Sequence, residues 1–207
     1  MVNSPRDDFT DIFAADTLNL DRVLASNLFE QNHLRRCMEL VEMIVWPRGE
    51  AIDSGQYSGN IDNEFGRLLG EDGVAHFDRI LERIVQSTRG STNPQIADPR
   101  QFLIHSLSVH DLGKFDEQQA AFSGTNHEER SAQIVSRQRS NILRQLGWKE
   151  ESFDFLVALV RFHALLGIMH LGGASMVYLD PLLTWLVKRS ETKQRLFLDL
   201  LIVLNCY

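Results

Sequence analysis

Seven histidines occur in this 207-residue chain. Three of them, and one aspartate, stand where helical spacing calls for an apolar side chain. His76 precedes Ile80 and Ile84 by four and eight residues, and His110 follows Leu107 and Leu103 by three and seven. His163 follows Val160, Leu159 and Leu156 by three, four and seven. Such spacings share one helix face, so each imidazole is expected to point inward. Asp111, directly after His110, shares the inward side with Leu107 and Ile104. One inward histidine is most often a core residue satisfied by a hydrogen bond. Several on different helices, beside a carboxylate, are costly to desolvate unless something offsets the cost. A divalent transition metal does so. Mixed nitrogen and oxygen ligation favours iron, manganese, cobalt or zinc. Residue types alone do not choose among these or exclude magnesium.

The segment "HSLSVHDLGKFDEQQAAFSGTNHEERSA" (105–132) resembles the core signature of the HD-domain superfamily of metal-dependent phosphohydrolases. That family is an all-α bundle whose ligands run His, His-Asp, Asp, with extra histidines between. His110-Asp111-Leu112-Gly113-Lys114 matches the central His-Asp-x-Gly-Lys form, and His76 matches the first ligand. His127, followed by Ser131-Ala132, is similar to the first extra histidine, and His163 in "LVRFHALLG" to the second. The resemblance covers about residues 70–207. It implies hydrolysis of a nucleotide or related small phosphoester, as a phosphodiesterase or phosphomonoesterase, with one or two divalent ions and Asp111 able to bridge them. His127 and His163 would complete a second site, which in this superfamily accompanies phosphodiesterase action. Lys114 would neutralise a substrate phosphate or protonate the leaving oxygen, or is simply a cation at a helix C-terminus. Arg130 and Arg161 are phosphate contacts or solvated helix charges.

The last ligand has two readings. Asp199 is the candidate within "RLFLDLLIVLNCY", yet Lys188, Thr192, Arg195 and Asp199 form a polar stripe, which favours a solvated Asp199 paired with Arg195. The other reading puts the ligand beyond Tyr207, in a longer natural protein. Three histidines receive other roles. His105 lies about 140° around the helix from His110. His33, amid Asn32, Arg35 and Arg36, is expected to be exposed, and His170 to lie in a loop.

These residues need a helical scaffold, and the apolar period is helical almost throughout. Helices are expected over 20–46, 63–86 with an interruption at Gly70–Gly73, 100–111 capped by Gly113, 127–145, 151–165 and from 181 onward. Loops fall at 48–62 and 87–99. Thr125 with Glu128 forms a capping box, with Asn126 as competing cap. The fold class is therefore all-α: an HD-like helical domain over 66–207, with residues 1–65 as a helical extension that packs on the core or joins a homo-oligomer.

Hydrophobic residues at 43% and charged residues at 24% suit a folded domain. The net charge of −7 argues against a binder of long nucleic acid. Two cysteines cannot build a disulfide framework or a CxxC site. No signal-peptide pattern opens the chain, and the apolar runs near 155–160 and 196–204 read as too short to span a membrane. A cytoplasmic location is the expectation. Two alternatives to hydrolysis stand: a regulatory HD-like module with incomplete chemistry, and a di-iron redox enzyme.

Overall fold

Proline, aspartate and asparagine set where several helices begin. The computed structural model describes residues 63–114, 126–170 and 176–205, with Asn32, His33, Arg36, Cys37, Val41, Val45 and Gly49. Most of 20–46, the loop at 48–62 and Thr125 lie outside these residues. Among the described residues every regular element is helical and no strand occurs, so the fold is all-α. In chain order the helices are α1 (Asn63–Thr88), α2 (Pro94–Ala97), α3 (Pro99–Val109), α4 (His127–Arg137), α5 (Arg139–Gln145), α6 (Glu150–Phe162), α7 (Leu165–His170), α8 (Met176–Leu186) and α9 (Glu191–Asn205). A 3-10 turn, Leu112–Lys114, follows α3.

Helix α3 begins with Pro99 in its first turn, and the Asp98 carboxylate accepts the Gln101 amide at 3.0 Å. A cap of this kind is worth about 1 kcal/mol. On α4 the cap is Asn126, whose side chain accepts from the Glu129 amide at 2.9 Å. α1 kinks at Gly70, where φ is 69°, a conformation glycine adopts without steric cost. The single helix expected over 127–145 is two. Gln138 closes α4 with an N–H bond to the Val135 carbonyl and opens α5, its own carbonyl accepting from Ile142, both at 3.0 Å.

α6 carries the most continuous apolar face and packs against α3, α4 and α9, while α1 packs on α9 and α3. Leu103 and Leu107, Ile134 and Val135, Phe155, Leu156 and Leu159, and Phe197 and Leu201 are buried between these helices. Burying each such side chain is worth about 1.5–3 kcal/mol. The stretch Glu150–Met169 has the length and hydropathy of a membrane span, more than the sequence reading allowed. Its composition is that of a core element: α6 and α7 are separated by a turn at His163–Ala164, and 56% of the most apolar window is buried in the bundle.

The α1–α9 contact contains a charge pair. Arg83 donates from Nε to Asp199 Oδ2 at 3.0 Å and from Nη2 to Oδ1 at 2.5 Å, and Asp199 is 3% exposed. The same two bonds raise the Arg83 pKa above its ordinary value. Both expectations for Asp199 are thereby corrected. It is not solvated beside Arg195, which pairs with Glu191 at 3.2 Å, and it stands outside the histidine cluster described next.

Candidate metal centre

Two of the histidines are placed by the ends of helices. His110 is the C-cap of α3 and His163 the C-cap of α6. The last carbonyls of a helix have no intrahelical donor, and each ring supplies one. His110 Nδ1 lies 2.8 Å from the Leu107 carbonyl, and His163 Nδ1 lies 2.6 Å from that of Val160. A carbonyl only accepts, which assigns the proton to Nδ1 and leaves the Nε2 lone pair of a neutral ring free. Both Nε2 atoms face Asp111: His110 at 3.1 Å from Oδ2 and His163 at 3.3 Å from Oδ1.

Two further rings complete the arrangement. His127 opens α4, and its Nε2 lies 3.4 Å from Asp111 Oδ1. His33 Nε2 lies 3.4 Å from Oδ2. The Asp111 side chain is 1% exposed, so four imidazoles surround a carboxylate removed from water.

Carboxylate oxygens and the lone pairs of neutral imidazoles all accept, so crowding them together is unfavourable unless positive charge lies among them. Lys114 Nζ supplies some, donating to Oδ2 at 2.8 Å. Oδ1 is buried and makes no hydrogen bond among the described residues. Burial alone would raise the Asp111 pKa. N–H groups of the His110, His127 and His163 rings turned toward its oxygens outweigh that and hold it well below the usual carboxylate range, and a metal ion would take the place of those protons. At His163, by contrast, burial prevails over the opposing pull of Asp111 and lowers the pKa. A ring that burial biases toward its neutral form is the state that metal ligation needs. The donors fall into two groups sharing Asp111: His33 and His110 on one side, His127 and His163 on the other, each with ligand atoms within 4.8 Å of one another. An orphaned buried oxygen and a ring of imidazole nitrogens fit one or two divalent ions.

Gly113 brings the halves together. Its N–H donates to Ser131 Oγ at 2.8 Å, and its carbonyl accepts from Arg130 Nε at 2.8 Å. A Cβ at residue 113 would stand 2.2 Å from the His127 carbonyl oxygen and 2.8 Å from the Ser131 amide nitrogen. The glycine is therefore required by close approach of α4; the C-terminal cap of α3, expected at Gly113, is His110.

His76 is not part of this centre. It is exposed on α1, whose buried face runs through Val74, Phe77, Ile80, Leu81, Ile84 and Val85. Ile80 lies at the flank of that face, and His76 stands about 40° further out. His33 is the ligand candidate that the sequence reading misplaced. It is half-buried, and Cys37, Val41 and Val45 follow it at intervals of four residues, all buried. That stripe was the available signal, hidden by the polar neighbours of His33. His105 is buried with Trp148, ring centroids 5.3 Å apart, and does not join the cluster. His170 ends α7 instead of lying in a loop.

The two candidate phosphate contacts have protein partners: Arg130 the Gly113 carbonyl, and Arg161 the Glu129 carboxylate at 2.8 and 3.2 Å. Beside the α4 and α6 ends opens a cavity of about 250 Å³, walled by Phe162, Leu165, Ile168 and Pro181 and rimmed by Glu129 and Arg161. No family model, curated protein or solved structure matches this chain.

Proposed function

We propose that this chain is a metal-dependent phosphohydrolase of HD-domain type acting on a small, nucleotide-like phosphoester. The observation that carries the reading is the Asp111 carboxylate, buried at the focus of four imidazole nitrogens, with Oδ1 lacking a hydrogen bond among the described residues. His33, His110 and Asp111 would hold one ion, and Asp111, His127 and His163 a second. Iron, manganese, cobalt, zinc and magnesium remain the candidates. A divalent ion at such a site acidifies water and polarises a phosphoryl oxygen. The chain's own residues do the rest. His110, Asp111, His127 and His163 stand at helix ends, which pre-sets that part of the ligand geometry. Hydrolysis adds hydroxyl to phosphorus and a proton to the departing oxygen, and Lys114, 32% exposed at the edge of the cluster, is placed to give that proton or to neutralise phosphate charge. The apolar wall beside Phe162 and Leu165 suits a flat group such as a base.

One observation favours the regulatory alternative: Asp199, the aspartate of the final apolar helix, is committed to Arg83. A single experiment separates the readings. Protein purified without chelator is assayed for bound metal and, with added manganese, against nucleoside phosphates and cyclic dinucleotides under anaerobic conditions. Metal-dependent phosphoester cleavage, lost in Asp111→Asn, is expected. Metal binding without cleavage of any phosphoester points to the regulatory module, and absence of metal binding removes both the enzyme and its centre.

A further inference from the structure

We infer that Glu128 is the positioning residue for His127, holding its proton on Nδ1 and its Nε2 lone pair toward Asp111. The inference rests on the metal-centre reading above. His110 and His163 sit at helix C-termini, where spare carbonyls three residues back fix their tautomers. His127 cannot use that device. It is the first residue of α4, and a helix N-terminus offers spare N–H groups but no spare carbonyls. Within α4, an acceptor for its Nδ1 proton must come from a side chain.

Glu128 is that side chain. Its Oε2 lies 3.3 Å from His127 Nδ1. Successive helical residues point about 100° apart, so this approach does not follow from adjacency alone. The burial of Glu128 also needs a reason. It is 6% exposed, and Oε2 is inaccessible to solvent and makes no hydrogen bond among the described residues. Its neighbour Glu129 shows the ordinary behaviour of a first-turn carboxylate: 34% exposed, complementing the helix dipole and paired with Arg161. A buried carboxylate gains most from a donor within reach, and the His127 ring is one, at a contact distance that a small rotation of the ring would align as a hydrogen bond. Asn126 already caps the helix, which leaves Glu128 available for this contact. Outer partners of this kind orient ligand histidines and raise their basicity.

The test uses the full chain with Glu128→Ala and Glu128→Gln, and two measurements. Long-range nitrogen–proton NMR on metal-free protein reads the His127 tautomer, and calorimetry reads cobalt affinity. The wild type is expected to carry the His127 proton on Nδ1. Glu128→Ala should move it toward Nε2, leave the His110 and His163 tautomers unchanged, and weaken cobalt binding by about 10- to 100-fold. Glu128→Gln, whose amide oxygen still accepts, should keep the Nδ1 proton and lose less affinity. Wild-type protein with the His127 proton on Nε2 overturns the inference, even where Glu128→Ala does not fold. So does Glu128→Ala with unchanged tautomer and affinity. A wild type that binds no cobalt defeats the metal-centre reading, while the tautomer comparison still decides the part played by Glu128.

Discussion

Asp111 and Asp199 are buried to nearly the same degree, 1% and 3% exposed, and are neutralised differently. Asp199 has a guanidinium of its own chain on both oxygens, in the two-pronged geometry that satisfies a carboxylate fully. Asp111 has one lysine on Oδ2 and four imidazole nitrogens, with Oδ1 left without a hydrogen bond among the described residues. The first is closed by folding and holds α9 to α1. The second reserves a place for added charge. A buried aspartate thus reads differently according to whether the chain's own donors satisfy one of its oxygens or both.

The largest test of this contrast is Arg83→Ala, which leaves Asp199 buried with no counter-charge. We expect a loss of about 3 kcal/mol in denaturant unfolding, with cobalt affinity unchanged. An affinity change beyond tenfold would place Asp199 within the centre and collapse the distinction. On the other side, His33→Ala should weaken metal binding by about tenfold or more, near 1.4 kcal/mol, while His76→Ala leaves it unaltered. Calorimetry giving the reverse order would restore His76 as a ligand. The smallest effect concerns pH. Burial holds the folded His163 below the ordinary histidine pKa near 6.5. The unfolded chain then takes up more protons as pH falls through that value. The stability from neutral His163 is present above about pH 6.5 and is lost on acidification toward the folded-state pKa. The melting temperature of metal-free protein should decline from pH 7 to 5.5, by about 2–4 °C for each kcal/mol lost. Arg83→Ala should show the same slope. A flat profile in the wild type would mean that His163 is not held neutral.

The all-α class and the meeting of His110, Asp111 and His163 could be read from local periodicity, because each lies within seven residues of the apolar positions that define its face. His127 came from the resemblance, through its place at a helix start ahead of Ser131-Ala132. What failed was non-local or marginal. Arg83 and Asp199 are 116 residues apart, so the local stripe through Arg195 suggested a nearer partner. His76 has apolar neighbours at four and eight residues, but those spacings drift around a helix by about 40° and 80° and reach only the rim of the buried face. His33 has the same spacing to Cys37 and Val41, and there the stripe continues to Val45 and marks the true interior. Two apolar neighbours did not distinguish these cases; tertiary packing does.

The missing Cβ of Gly113 has a consequence for how this cluster keeps its dimensions. His110-Asp111 and His127 lie on either side of residues 115–125, yet their separation is gauged by direct contact between the Gly113 backbone and the first turn of α4. The glycine acts as a spacer of zero thickness. Any side chain there would widen the gap at His127 itself. The spacing between His127 and His110-Asp111 is thus stored in this backbone contact.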